Sequence, residues 1–290
     1  MQLPGPIVST DWLEKHINDE SLRIYDVSIF LTPNDPEPGY TFTSGYAKWS
    51  IEHIPGANFL DLLSEFSDAK AAMPYTMLPL ELLADKAGQA GITNDSAVVL
   101  YSADSPMFAA RMWWMLRSIG LDNVAILDGG WNKWKKENRA TSDRAKAYPP
   151  SQLNLGPRST MWVNKDDVIR AMEDDSICIL NALESEVHNG EVNRYGRAGH
   201  IPGSQNVSYD SLIDNETGEF LPAQQLQERF SKLDVLDKPQ VLIYCGAGVV
   251  AAMNALALTL LGHSDVRIYD GSMIEWASDS TLPLICSVNC

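Results

Sequence analysis

Three stretches of this sequence occur twice, in the same order and at nearly constant offset. HIPG stands at 53–56 and again at 200–203. SAVVLYSAD, 96–104, resembles PQVLIYCGA, 239–247. IGLDNVAILDGGWNKW, 119–134, resembles LGHSDVRIYDGSMIEW, 261–276, aligning Asp128-Gly129 with Asp270-Gly271 and Trp134 with Trp276. Such self-similarity means two copies of one folding unit. With 290 residues, each copy has an ordinary size for a single hydrophobic core. The halves are expected at 1–140 and 161–290. Residues 141–160, polar and carrying Pro149-Pro150, read as a linker.

Within each half, short apolar runs alternate with helix-like stretches. LRIYDV (22–27), AVVLY (97–101), VAIL (124–127), SICIL (176–180), QVLIY (240–244) and VRIY (266–269) read as strands. Several are nearly continuous apolar runs, the pattern of strands buried on both faces. SPMFAARMWWMLRSIG (105–120) and VVAAMNALALTLLG (249–262) have helical periodicity and end at Gly. The alternation predicts an α/β fold with a largely parallel sheet flanked by helices in each half. Sites in such folds gather at the carboxyl ends of strands, which is where Cys245 stands.

The formal net charge of −16 argues against nucleic acid or an anionic membrane surface as partner. It leaves room for a small anion held by a few local positive groups. No apolar run is long enough to span a bilayer, and MQLPGPIVSTDWLEKH lacks the pattern of a signal peptide. The cysteines, Cys178, Cys245, Cys286 and Cys290, form neither a CxxC pair nor a zinc-ligand spacing. Cys286 and Cys290 could pair, but a reduced chain in the cytoplasm is the simpler expectation. No metal or organic cofactor is implied.

The loop YCGAGVV follows a strand and precedes a helix. Gly246 and Gly248 allow backbone shapes closed to larger residues, so successive N–H groups can form an anion nest. The helix start adds unpaired N–H groups and positive potential. A cysteine there is expected to act as a thiolate, the attacking form, and a sulfur added to it would be held by the same donors. The alternative is a small buried core thiol. The repeat favours the first reading, because the matching position of the other half is Ser102, followed by Ala103-Asp104. One half reads as working and the other as silent. Ala251 stands where a phosphatase-like site would need Arg. No protease setting or resolving cysteine is visible, which leaves sulfur transfer as the chemistry these residues suit.

From Val8 to Ile285 the chain resembles the tandem-domain sulfurtransferases of the rhodanese family. Both HIPG segments, FAARMWWMLRSIGLDNVAILDGGWNKW and YCGAGVVAAMNALALTLLGHSDVRIYDGSMIEWASD carry the resemblance. It implies two rhodanese-like domains, the first silent, with Cys245 as the cysteine that becomes a persulfide. Gly246, Ala247, Gly248, Val249 and Val250 would complete its stabilising loop. It further implies a small anionic sulfur donor, thiosulfate or 3-mercaptopyruvate, and a thiol, cyanide or protein acceptor. CGAGVV resembles the mercaptopyruvate branch, whose loop begins Cys-Gly-Ser-Gly-Val-Thr, with Ala247 in place of the Ser and Val250 in place of the Thr, and it also resembles bacterial members with small apolar loops and no fixed donor preference.

Other departures concern the donor. Leu183 and Val187 stand where family members carry arginines. Arg194 and Arg197, just before the second GHIPG, are the remaining candidates for holding a sulfonate or carboxylate, unless they are surface charges. His53 matches a first-domain histidine given a proton-transfer role in some members; otherwise it fixes a turn, as expected for His200. Trp134 and Trp276 are expected in the cores, while Met107, Trp113 and Trp114 read as helix-face packing rather than cofactor contacts. The missing arginines also leave open a non-catalytic scaffold or persulfide-sensing module, or a persulfide carrier for a protein acceptor.

Overall fold

The structure is a computed structural model that describes residues 1–34, 39–154 and 156–287. Two compact units are present. The first comprises Met1–Lys70, Met77–Ser159 and Asn215–Glu219; the second comprises Ala71–Thr76, Thr160–Asp214 and the chain from Phe220 onward.

In the first unit the elements are β1 (Ile7–Val8), α1 (Thr10–His16), β2 (Leu22–Asp26), β3 (Ile29–Pro33), β4 (Tyr40–Ser44), α2 (Tyr46–Trp49), β5 (Ala57–Phe59), α3 (Leu80–Gln89), β6 (Ala97–Tyr101), α4 (Met107–Ser118), β7 (Val124–Leu127) and α5 (Gly130–Lys136). In the second they are β8 (Trp162–Val163), α6 (Lys165–Ala171), β9 (Ile177–Asn181), α7 (Ser185–Asn189), β10 (Gln205–Asn206), α8 (Ala223–Phe230), β11 (Gln240–Tyr244), α9 (Ala251–Leu260), β12 (Val266–Tyr269) and α10 (Ser272–Ser278). The expected strands 97–101, 124–127, 240–244 and 266–269 coincide with β6, β7, β11 and β12, and the other two fall within a residue of β2 and β9.

Each unit holds a five-stranded sheet, ordered β1-β7-β6-β2-β5 in the first and β10-β9-β11-β12-β8 in the second. Read from opposite ends the two orders are the same, and every pairing in them is parallel. The hairpin β3–β4 is an antiparallel addition to the first unit. Parallel strands covered by helices must be apolar on both faces, and β6 is buried at all five residues. Trp134 and Trp276 are fully buried. Each indole N–H donates to a carbonyl further along, Ala140 at 2.8 Å and Pro283 at 2.9 Å, so both sit in their cores as expected. Trp113 and Trp114 are buried on α4.

Residues 141–154 and 156–159 belong to the first unit. The Tyr148 hydroxyl donates to Gly56 O (2.7 Å) and accepts from Ile24 N (3.2 Å), and Arg158 forks onto Asp122. Cys178 and Cys245 are free thiols. Cys286 is disulfide-bonded, which corrects the expectation of a fully reduced chain; Cys290 lies outside the described residues. No helix among the described residues is long and apolar enough to cross a membrane.

Both HIPG turns use one device. The histidine Nδ1 meets a backbone carbonyl at 2.7 Å, Trp49 O for His53 and His188 O for His200. The next residue's N–H reaches the tyrosine ending the central strand, Ile54 N to Tyr101 Oη at 3.4 Å and Ile201 N to Tyr244 Oη at 3.1 Å. The neighbouring strand then supplies a partner for that tyrosine, and here the copies differ. In the second unit Asn181 Nδ2 donates to Tyr244 Oη (2.9 Å), while its Oδ1 accepts from Leu183 N (2.8 Å). In the first, Asp26 accepts from Ser28 N (2.7 Å) and from the Tyr101 hydroxyl. Burial, outweighing these hydrogen bonds, pushes the Asp26 carboxyl up to about 6.

A carboxyl whose folded-state value is raised binds its proton more tightly in the native state. Its ionisation therefore erodes stability as pH rises from about 4 to 6. Asp26→Asn copies the second unit's arrangement and removes that cost. Denaturant unfolding should show the variant more stable than the parent above pH 6, by up to about 3 kcal/mol, with the gain shrinking below pH 4. An equal effect at both pH values would refute the assignment.

Candidate active site

Cys245 directly follows β11, at the carboxyl edge of the second sheet, and its residue is 1% exposed. The loop after it is fixed by the start of α10. Met273 N donates to Cys245 O and Ile274 N to Gly246 O, both at 3.0 Å. Ser272, itself buried, presents Oγ to two loop amides, Cys245 N at 3.1 Å and Gly248 N at 3.2 Å, and donates its own proton to Tyr269 O at 2.7 Å. Its φ of +48° is costly for a residue with a side chain. Three hydrogen bonds on one hydroxyl hold it there.

This anchoring decides where the remaining amides face. A trans peptide sets its N–H opposite its C=O. With the carbonyls of Cys245 and Gly246 turned to α10, the N–H groups of Gly246 and Ala247 point away from that helix. Among the described residues no protein group accepts from the amides of Gly246, Ala247, Val249 or Val250. α9 then begins at Ala251 with no side-chain cap on its first turn, so its positive end also faces the loop. The result is a strand-end cysteine followed by a run of backbone donors, the pattern of an anion nest.

The two glycines are required for different reasons. Gly248 has φ +70°, in the left-handed region that glycine enters without a steric cost. Gly246 has ordinary dihedrals but is pressed by Tyr195. A Cβ there would overlap the phenol oxygen and lie 2.9 Å from Cζ.

The first unit has the same frame without the cradle. Trp131 N donates to Ser102 O at 3.1 Å, matching Met273 N to Cys245 O. Ser272 corresponds to Gly130, also at positive φ (+53°), which has no hydroxyl to gather amides. Ser102 Oγ donates instead to Ser105 O.

Donor-binding candidates are placed less simply. Leu183 and Val187 are buried at 3% and 2% exposure, so core packing occupies the places where arginines were looked for. Both terminal nitrogens of Arg197 are committed to backbone, Asp279 O and Leu282 O at 2.8 Å each. That makes Arg197 a strut to the turn after α10. Arg194 grips both oxygens of Glu184, at 3.1 and 3.0 Å, and hydrogen-bonds the Tyr195 side chain. His53 belongs to the first unit. Its ring is buried and stacked on Trp49 with centroids 4.8 Å apart. Among the described residues its Nε2 has no hydrogen-bond partner, and it lies near enough to Asp26 to favour that carboxylate.

Sequence reasoning passed over Ser272 as an organising group and Tyr195 entirely. The Gly130/Ser272 difference between the repeats was the available signal for Ser272. Nothing local marks Tyr195; only the glycine at 246 hinted that something approaches there. Among the described residues no group of three His, Cys, Asp or Glu side chains is placed to hold a metal ion.

The rhodanese-like domain model matches residues 9–137 and 165–279, one stretch for each copy. Over 96% of its length the chain is 32% identical to the mitochondrial thiosulfate/3-mercaptopyruvate sulfurtransferase 1 of Arabidopsis thaliana, covering 78% of that protein. It is also 32% identical to the 3-mercaptopyruvate sulfurtransferase of Escherichia coli K12, with 96% of each chain covered. The crystal structure of SseA, a 3-mercaptopyruvate sulfotransferase of Escherichia coli, superposes with a TM-score of 0.78 over 92% of this chain and 98% of that one, at 31% identity. Both halves are matched, and the chain belongs to the rhodanese family as a tandem-domain sulfurtransferase that passes sulfane sulfur through a cysteine persulfide.

Proposed function

We propose that Cys245 carries the sulfur and that a 3-mercapto-2-oxo acid of the 3-mercaptopyruvate type is the preferred donor. The observation that carries this is the set of unoccupied amides around a strand-end thiol whose counterpart in the other repeat is Ser102. The Cys245 thiolate attacks the donor sulfur, forming an S–S bond as the C–S bond breaks. The electron pair leaves with carbon, which takes up the proton given by the donor thiol. Cys245 is left as a persulfide anion, Cys–S–S⁻, held by the loop N–H groups. A thiol, cyanide or protein thiolate then attacks the outer sulfur and restores the Cys245 thiolate. The acceptor and a cytoplasmic location are likewise proposals. The free thiols of Cys178 and Cys245 suit a reducing compartment, and the Cys286 disulfide weighs the other way.

Charge supports the choice of donor. Thiosulfate is a dianion and needs more compensation than a mercapto acid with a neutral thiol. Arg194 and Arg197 already have partners, and positions 183 and 187 are apolar. Backbone donors alone serve a monoanion better than a dianion.

Incubation with 3-mercaptopyruvate should add one sulfur to the intact mass, removable by cyanide or a reductant, and Cys245→Ser should add none. Failure of the parent protein to gain sulfur from either donor would overturn the assignment. Steady-state kcat/KM should favour 3-mercaptopyruvate over thiosulfate by at least about tenfold, the effect of roughly 1.4 kcal/mol in transition-state binding; the reverse order would contradict the charge argument. Ser272→Gly reproduces the silent half and relieves the positive φ. It should melt within a few degrees of the parent yet lose about tenfold to a hundredfold in kcat, because two loop amides lose their anchor. Full activity in that variant would show that the hydroxyl does not organise the loop.

A further inference from the structure

Tyr195 has no part in the mechanism drawn so far, yet its ring presses on the sulfur-bearing loop at Gly246. Its ring lies across Gly246 so tightly that only a hydrogen fits between: a Cβ at 246 would overlap the phenol oxygen and stand 2.9 Å from Cζ and 3.2 Å from Cε1. The oxygen is thus the ring atom nearest that Cβ position, against the residue that follows Cys245. On its other side Arg194 hydrogen-bonds the phenol side chain, and Arg194 is itself gripped by both oxygens of Glu184 at the cap of α7. A carboxylate, a guanidinium and a phenol therefore lead in sequence to Gly246, the residue after the thiol.

Resting on the sulfurtransferase reading above, we propose that the Tyr195 hydroxyl is a further catalytic residue, the side-chain hydrogen-bond donor to the sulfur anion carried on Cys245. Arg194 is the positioning residue that holds it. The chemistry fits on three counts. A phenol is a donor of fixed reach on a rigid ring, and its place is set here by packing on Gly246. Burial, then the negative charge of Cys245, push the Tyr195 phenol up, so it keeps its proton and donates rather than repels. The hydrogen bond from Arg194 polarises the O–H without bringing a second full charge to the sulfur. A neutral donor of this kind stabilises a charge that grows at sulfur as the donor bond breaks, and it completes a cradle otherwise made only of backbone.

Tyr195→Phe keeps the ring on Gly246 and removes only the donor. Intact mass after incubation with 3-mercaptopyruvate, the persulfide lifetime on the loaded protein, and steady-state kinetics are measured beside thermal melting. The variant should still load sulfur on Cys245 and melt like the parent. Its kcat should fall about tenfold to a hundredfold with the donor KM within about threefold, the pattern of an interaction made in the transition state. The loaded persulfide should also lose its sulfur faster than in the parent. Arg194→Met, which leaves the phenol in place, should show a smaller loss in the same direction, and it carries the test if Tyr195→Phe does not fold. An unchanged kcat and persulfide lifetime in Tyr195→Phe, with the parent loading normally, would overturn this proposal alone. A parent protein that never gains sulfur would overturn both it and the reading on which it rests.

Discussion

The chemistry at Cys245 depends on one junction, where the end of β11 meets the start of α10. Two carbonyls of the cysteine loop are drawn to the first amides of α10, and two amides are gathered by the Ser272 hydroxyl. A peptide plane cannot turn its carbonyl one way without turning its N–H the other. Fixing the carbonyls is therefore what orients the free donors. The parallel sheet makes the junction possible, because β11 and β12 are neighbours running the same way. Their carboxyl ends lie on one edge, so the helix after β12 begins beside the loop after β11.

The duplication acts as a control experiment within one chain. The first unit keeps the same frame, with Trp131 N bonded to Ser102 O. What it lacks is the thiol, the left-handed glycine at the place of Gly248, and the hydroxyl of Ser272. The frame is thus the fold's own property, and the cradle is an addition of a few residues. The replacement of Asp26 by Asn181 belongs to the same set. Both residues bond the tyrosine that ends the central strand, but the second does so as a neutral amide. Asn181 is paired with Tyr244 across the sheet, one residue before Cys245. A carboxylate there would oppose the charge of a thiolate or persulfide.

The strands and the two central helices were legible because burial on both faces leaves unbroken apolar runs, and because each run appears twice. AVVLY and QVLIY could hardly have been other than central strands. The loop was legible as a loop, from its glycines, and Cys245 from its contrast with Ser102. The partners of charged side chains were not. Arg197 reads as a free fork in sequence, and only the fold brings Asp279 O and Leu282 O, more than eighty positions away, onto its guanidinium. Tyr195 was hidden for the same reason: its importance comes from a contact with Gly246 across fifty positions, and no local pattern encodes such a contact. The sequence at 141–160 was polar and proline-bearing, yet the chain there is fastened by Tyr148 and Arg158. Polar composition marks the absence of a core element and leaves open whether the backbone is held.

The site also manages an electrostatic problem. In the proposed reaction a chain with a net charge of −16 brings an anion to a cysteine sulfur. Arginines near Cys245 would attract the donor, but each would also bind the persulfide product and any anion in solution. Here the arginines of the loop before the second HIPG are spent on structure, one on carbonyls and one on Glu184. What stands at the cysteine loop is a set of dipoles: loop amides, the start of α9 and a phenol against Gly246. Dipoles fixed by the fold act at short range, so they stabilise charge that develops at the sulfur far more than charge approaching from a distance. Such a site gives up long-range capture of its substrate and keeps the part of the interaction that grows as the donor bond breaks, which is the part that speeds the reaction.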